Sequence, residues 1–173
     1  MNVLELFKPI NTFVFDVDGV LTDGTLLLFP NGVFARKMYI KDGYALQLAI
    51  KKNYRIVVIS GSHSPESEDR LRKLGITEIF MQVQDKVSLL TNYMQVNNLQ
   101  KEQVLFMGDD MPDFAAMQLT GLPCCPADAA FDVKEIAKYI SPSKGGKGCV
   151  RDVIEKVLKL NNNWKDDFLL RAF

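Results

Sequence analysis

Short apolar runs that alternate with helix-period stretches constrain this chain more than any other feature. The runs occupy residues 12–15, 55–60, 78–81 and 104–107, and each is continuously apolar rather than alternating. Strands buried on both faces read this way. Helical spacing of apolar residues fills 43–53, 65–74, 86–97 and 113–120, with two further helices at about 130–137 and 150–160. Strand and helix in turn predict an α/β fold, a Rossmann-like doubly wound parallel sheet with right-handed crossovers.

Residues 24–39 break the alternation. Two extended stretches flank Pro30-Asn31-Gly32, a strong turn signal, so a β-hairpin is expected after the first strand. The 173 residues carry no repeat, low-complexity tract or linker, which predicts one domain over 1–160 and a tail over 161–173. Within the tail, Trp164 and Phe168 are candidate anchors, either to their own domain or to a neighbour.

Charge and cysteine usage narrow the function classes. Lys plus Arg number 21 and Asp plus Glu number 21, so the chain lacks the basic footprint of a nucleic-acid binder. No apolar run approaches the roughly 20 residues that span a bilayer, and no signal peptide is read at the start. Cys124, Cys125 and Cys149 cannot all pair, which points to reduced thiols and a cytoplasmic protein. The two adjacent cysteines follow a short strand expected near Leu122 and read as small buried residues.

In open α/β sheets ligands bind at the carboxyl ends of strands. Here the first run is followed by Asp16, Val17, Asp18 and Gly19, the second ends in Ser60 with Gly61 and Ser62, and the fourth is followed by Gly108, Asp109, Asp110 and Asp113. Asp16 and Asp18 stand two apart, so extended backbone sends both to one side. Joined by Asp109, they repel unless a cation lies between them, and hard oxygen ligands suit Mg²⁺. His63 is the sole histidine, which removes histidine-based triads. Ser60 and Gly61 can present a hydroxyl and an N–H to an anion, and Lys86 can bring a positive charge to the same point. An aspartate beside such a cation can attack phosphorus, with a second aspartate moving the proton.

The segments FVFDVDGVLTDG, VVISGS, Asp85-Lys86 and MGDDMPD resemble, in order, the four motifs of the haloacid dehalogenase superfamily of phosphatases. The match runs from about residue 12 to 154. The resemblance implies Asp16 as nucleophile and Asp18 as general acid and base. It implies Ser60, Gly61 and Lys86 as phosphate ligands, and a Mg²⁺ site of Asp16, the Asp18 backbone carbonyl and Asp109. Asp110 and Asp113 would then orient Lys86 and the metal's waters.

Many members of that superfamily insert a cap domain after the first or second motif. The intervals 18–60 and 60–86 are too short for one, so an open site is expected, with the hairpin at 24–39 as lid and contact element. This arrangement is similar to the capless family of 3-deoxy-D-manno-octulosonate 8-phosphate (Kdo 8-phosphate) phosphatases, to which IKDGYAL, EDRLRKLGI and GGKG add further likeness. The family implies a homotetramer with intersubunit sites and release of phosphate during lipopolysaccharide core sugar synthesis. By position, Lys41, Asp42, Gly43 and Arg70 would contact the sugar acid. Many members have an arginine where Ser62 stands and another where Gln47 stands. Their absence leaves the substrate carboxylate to Arg70, Lys73 or a neighbour's tail. A nine-carbon sugar-acid phosphate (2-keto-3-deoxynononate 9-phosphate) is the alternative substrate. A phosphomutase and a non-catalytic scaffold are the other readings.

Overall fold

The first apolar run, Thr-Phe-Val-Phe, sits at the centre of the molecule because it has no polar face to offer solvent. The computed structural model describes residues 2–165, 167, 169 and 170. In chain order the elements are β1 (Thr12–Phe15), the hairpin strands β2 (Leu27–Leu28) and β3 (Phe34–Ala35), then α1 (Ile40–Lys51), β4 (Arg55–Ile59), α2 (Pro65–Lys73) and β5 (Glu78–Phe80). There follow α3 (Lys86–Val96), β6 (Val104–Met107), α4 (Met111–Met117), β7 (Leu122–Cys125), α5 (Phe131–Ile136), β8 (Tyr139–Ile140) and α6 (Cys149–Leu160). The main sheet has six strands in the order β5-β4-β1-β6-β7-β8, every neighbouring pair parallel. This is the expected doubly wound α/β fold. The chain winds outward from β1 through β4 and β5, then returns to β6 on the other side, so the topological switch lies between β1 and β6.

Side-chain alternation sorts each central strand into two cores. Phe13, Phe15, Ile56, Val58, Leu105 and Met107 pack with the apolar faces of α1 and α6. Val14, Val57, Ile59, Val104 and Phe106 face Leu90 and Tyr93 of α3 and Ala116 and Met117 of α4. Full burial of such side chains contributes roughly 1.5–3 kcal/mol each, which is why the sheet and not the loops fixes the frame.

Several element assignments depart from expectation; α4, for one, runs Met111–Met117 rather than 113–120. Helix α1 starts at Ile40 rather than at residue 43, so Gly43 lies inside its first turn. A Cβ there would stand 3.1 Å from Leu74 Cδ2, so the glycine serves close packing against the end of α2 rather than a helix start. Cys124 and Cys125 lie within β7, not after it, and all three cysteines are buried and free. Strand β8 was unanticipated, because two residues carry no periodicity. Trp164 docks on its own domain: its ring is 5.9 Å from Tyr44, and the Arg151 guanidinium lies over both rings. Phe168 lies outside the described residues.

No cap domain is evident among the described residues. Only the hairpin and α1 separate β1 from β4, and only α2 and β5 separate β4 from α3. The hairpin pairs Leu27 with Ala35 and Leu28 with Phe34, and turns where Gly32 (φ 77°) donates its N–H to the Phe29 carbonyl at 3.0 Å. No helix among the described residues is long and apolar enough to cross a membrane.

Candidate active site

Register carries the carboxylates to one place. Phe15 pairs with Met107, and the Asp16 N–H then donates to the Met107 carbonyl at 3.1 Å, so the ends of β1 and β6 are level at the switch point. Immediately beyond them a cleft of about 380 Å³ is lined by Asp16, Asp18, Ser60, Gly61, Lys86 and Asp109, among others. The chain leaves β1 through one wide helical turn, Val17–Leu21, in which Gly19 takes φ 88°. A Cβ at Gly19 would lie 2.0 Å from Asp109 Oδ2, so only glycine lets the Asp109 carboxylate lean over this turn.

Lys86, at the first position of α3 and 6% exposed, holds the centre. Its ammonium donates to Asp16 Oδ1 at 2.7 Å and to Asp113 Oδ1 at 2.6 Å. Asp113 Oδ2 in turn accepts the Asp109 N–H at 3.2 Å. Burial tends to lower the Lys86 pKa, but the charges of Asp16 and Asp113 outweigh it and hold the ammonium above its usual value. Burial, and then the neighbouring Asp113 charge, push Asp16 up to about 7 despite Lys86. Burial and the charges of Asp16, Asp113 and Asp110 push Asp109 to about 7 as well. Three carboxylates with one ammonium leave an excess of negative charge in a half-dry site. Asp16, Asp109 and Asp113 each offer an oxygen, all within 4.8 Å of one another. That acceptor-only, all-oxygen set fits a small hard divalent cation.

The loop after β4, Ser60 to Ser62, is held by its own hydroxyls. Ser60, 1% exposed, shares a 2.9 Å hydrogen bond with the Ser62 hydroxyl, and its Oγ accepts the Ser62 N–H. The loop after β5 pins it, with Val83 N–H donating to the Ser60 carbonyl and Gln82 N–H to that of Ser62. His63 meets the Gln82 amide on the exposed rim, outside the cleft lining.

The structure brings together Asp16, Asp18, Ser60, Gly61, Lys86, Asp109, Asp110 and Asp113 around one cleft. Asp113, read from sequence as a supporting group, stands inside the carboxylate cluster itself. The residues expected to meet the sugar acid lie apart. Lys41 borders a separate depression with Lys147 and Arg151, and Arg70 lines a groove between α2 and the hairpin. Asp42 is 2% exposed and turned toward α6, and Gly43 packs beside Leu74 and Arg70. Sequence reasoning missed Arg36, whose side chain is 9% exposed. Its Nε donates to Asp18 Oδ1 at 2.6 Å and its Nη2 to Oδ2 at 3.3 Å. Arg36 stands beside Lys37 after the apolar hairpin strand, and nothing in that pair marks which of the two turns inward.

A family model described as haloacid dehalogenase-like hydrolase matches residues 72–154. The chain is 31% identical over 157 residues to the 3-deoxy-D-manno-octulosonate 8-phosphate phosphatase KdsC of Yersinia pestis, spanning 91% of this chain and 84% of that protein. Its identity to the Escherichia coli K12 protein of the same name is 30%, with the same coverage. Among solved structures, the 3-deoxy-D-manno-octulosonate 8-phosphate phosphatase of Moraxella catarrhalis, in complex with magnesium ion, phosphate ion and a KDO molecule, matches with a TM-score of 0.89 and 29% identity. That match covers 94% of this chain and 93% of the other.

Proposed function

This chain belongs to the haloacid dehalogenase-like hydrolases and is a phosphatase acting on phosphoric monoesters; from that premise we propose that it hydrolyses Kdo 8-phosphate to Kdo and inorganic phosphate, in the synthesis of the lipopolysaccharide core sugar. The observation that carries the reading is the buried Asp16–Lys86–Asp113 arrangement facing Asp109 across the β1/β6 switch, in a chain similar along most of its length to phosphatases of that name.

In the proposed reaction Asp16 attacks phosphorus and the bond to the sugar oxygen breaks, with Asp18 giving that oxygen its proton. Asp18 then takes a proton from the water that cleaves the aspartyl-phosphate, and phosphate leaves. Ser60 and Gly61 border the cleft where the phosphoryl oxygens would lie, and Lys86 keeps the nucleophile in place while adding positive charge. Asp16, Asp109 and the Asp18 backbone carbonyl, with Asp113 beside them, would hold Mg²⁺. When bound, it would offset the negative charge of the phosphoryl group.

The proposed assembly is a homotetramer. Its support is the hairpin, where Leu26, Leu27, Leu28, Phe29, Val33 and Phe34 are 44–65% exposed. A contiguous apolar surface of this kind marks a contact site. A neighbour seated there would also shelter the open cleft. The free, buried cysteines agree with a cytoplasmic enzyme.

The test is phosphate release from Kdo 8-phosphate and 2-keto-3-deoxynononate 9-phosphate at equal concentration, with and without Mg²⁺. Faster release from the first, dependent on Mg²⁺ and absent in Asp16→Asn, supports the proposal. Preference for the nine-carbon compound overturns the substrate, and isomerised product without free phosphate overturns the hydrolysis.

A further inference from the structure

We propose that Arg36, delivered by the hairpin, is a positioning residue for the proton-transfer carboxylate Asp18; the assignment rests on the reading of Asp18 as general acid and base. The contact is a two-pronged fork, Nε to Oδ1 at 2.6 Å and Nη2 to Oδ2 at 3.3 Å, between residues 18 positions apart. Such a planar fork fixes both the location and the plane of a carboxylate, which a lysine ammonium does not. The guanidinium is the buried partner, at 9% side-chain exposure, while the Asp18 side chain is 37% exposed and borders the cleft. The buried member is thus anchored by the fold and the exposed member is what it holds.

The backbone explains why the hairpin can do this. Thr22 bridges Met38 in antiparallel fashion, closing the base of the insertion. The Thr22 hydroxyl accepts the N–H groups of Gly19 and Gly24, both at 3.3 Å, which ties that base to the turn carrying Asp18. Arg36 directly follows the return strand β3 and lies two residues before Met38, within reach of the turn from which the hairpin left. An ionised carboxylate accepts about four hydrogen bonds. The fork uses two and leaves capacity for the attacking water, or for the proton that Asp18 gives to the leaving oxygen.

A correctly placed acid matters in proportion to the basicity of the leaving group. A sugar alkoxide needs a proton as it departs, whereas a nitrophenolate does not. Misplacing the acid therefore slows alkyl phosphates selectively, an outcome that general damage to the fold does not produce.

The experiment is single-turnover release of the leaving group by Arg36→Gln, Arg36→Lys and Asp18→Asn. It uses p-nitrophenyl phosphate and whichever sugar-acid phosphate the wild-type protein cleaves faster. Asp18→Asn should lose at least tenfold more rate on the sugar phosphate than on the aryl phosphate. Arg36→Gln should show the same selectivity, with a drop of about 10- to 100-fold on the sugar phosphate, in the rate and not in KM. Arg36→Lys should fall between Arg36→Gln and wild type. If Asp18→Asn is selective but Arg36→Gln slows both substrates equally or neither, the positioning role is overturned and the general-acid reading stands. If Asp18→Asn itself shows no selectivity, that reading fails and takes the Arg36 assignment with it.

Discussion

Asp42 is tied to Arg151 across the α1–α6 interface, its Oδ1 accepting the Arg151 backbone N–H at 2.9 Å near the start of α6. Its other oxygen, Oδ2, is buried and has no hydrogen-bond partner among the described residues. The side chain thus supplies one of the acceptors that a helix N-terminus lacks, at the cost of a half-satisfied charge.

Burial pushes the Asp42 pKa to about 6 from an ordinary 3.8, against the pull of the Arg151 N–H and guanidinium. The folded state therefore binds more protons than the unfolded chain between those two values. Stability falls as pH rises through that window and is flat above it. Asp42→Asn removes the penalty, and a gain of about 1–3 kcal/mol is expected at pH 8, fading to nothing near pH 3.5. Urea unfolding across that range measures it. A variant less stable than wild type at pH 8 would contradict the charge argument.

Lys86 is the sole ammonium bonded to both Asp16 and Asp113 among the described residues. Lys86→Met strands two buried carboxylates, with an expected cost of roughly 3–5 kcal/mol in the metal-free protein and loss of phosphate release. Denaturant midpoints measured with EDTA present, together with a phosphate-release assay, check both.

On the proposed metal site, magnesium should stabilise the fold, because only the folded chain gathers Asp16, Asp109 and Asp113. At a concentration a hundred times its dissociation constant the gain is about 2.7 kcal/mol, or roughly 5–10 °C in Tm for a chain of this size. Calorimetry with Mg²⁺ and then EDTA reads the shift. Asp109→Asn should abolish most of it, and an unchanged shift in that variant would move the cation elsewhere.

Gly145 presses on the turn that carries Asp18. A Cβ there would lie 1.9 Å from the Gly19 carbonyl oxygen and 3.2 Å from that of Thr22, both backbone atoms with no rotamer to yield. Gly145→Ala should cost more than about 2 kcal/mol and depress turnover by displacing the turn that bears Asp18. Thermal melts and steady-state rates on the same preparation show whether the two losses travel together.

The exposed hairpin apolar surface predicts an assembly that charge disrupts. Leu28 and Phe34 are 65% and 49% exposed and are register partners. The double variant Leu28→Asp, Phe34→Asp should sediment as a smaller species than wild type while keeping its far-ultraviolet dichroism. Equal masses for the two proteins would remove the hairpin from the interface.

What the chain determines by itself is local in origin. Thr12 to Phe15 and Val104 to Met107 are too apolar to lie anywhere but inside a parallel sheet, so the residues that follow them, Asp16 and Asp109, fall at its carboxyl edge. The turn at Gly32 was legible for the same reason, since Pro-Asn-Gly states its backbone preference within three residues. Other features needed the assembled fold. That Asp113 joins the cluster through Lys86, 27 positions away, depends on how α3 and α4 seat against the sheet. That Asp42 turns into the α6 start, while Lys41 beside it faces a different depression, depends on the rotation of α1 that close packing at Gly43 permits. That Arg36 reaches back to Asp18 depends on the path of an insertion whose own pattern says only that it bends. Periodicity records which residues are buried and where a chain must turn, because those are short-range preferences. Which charged group meets which is settled by packing between distant segments, and so belongs to the tertiary structure alone.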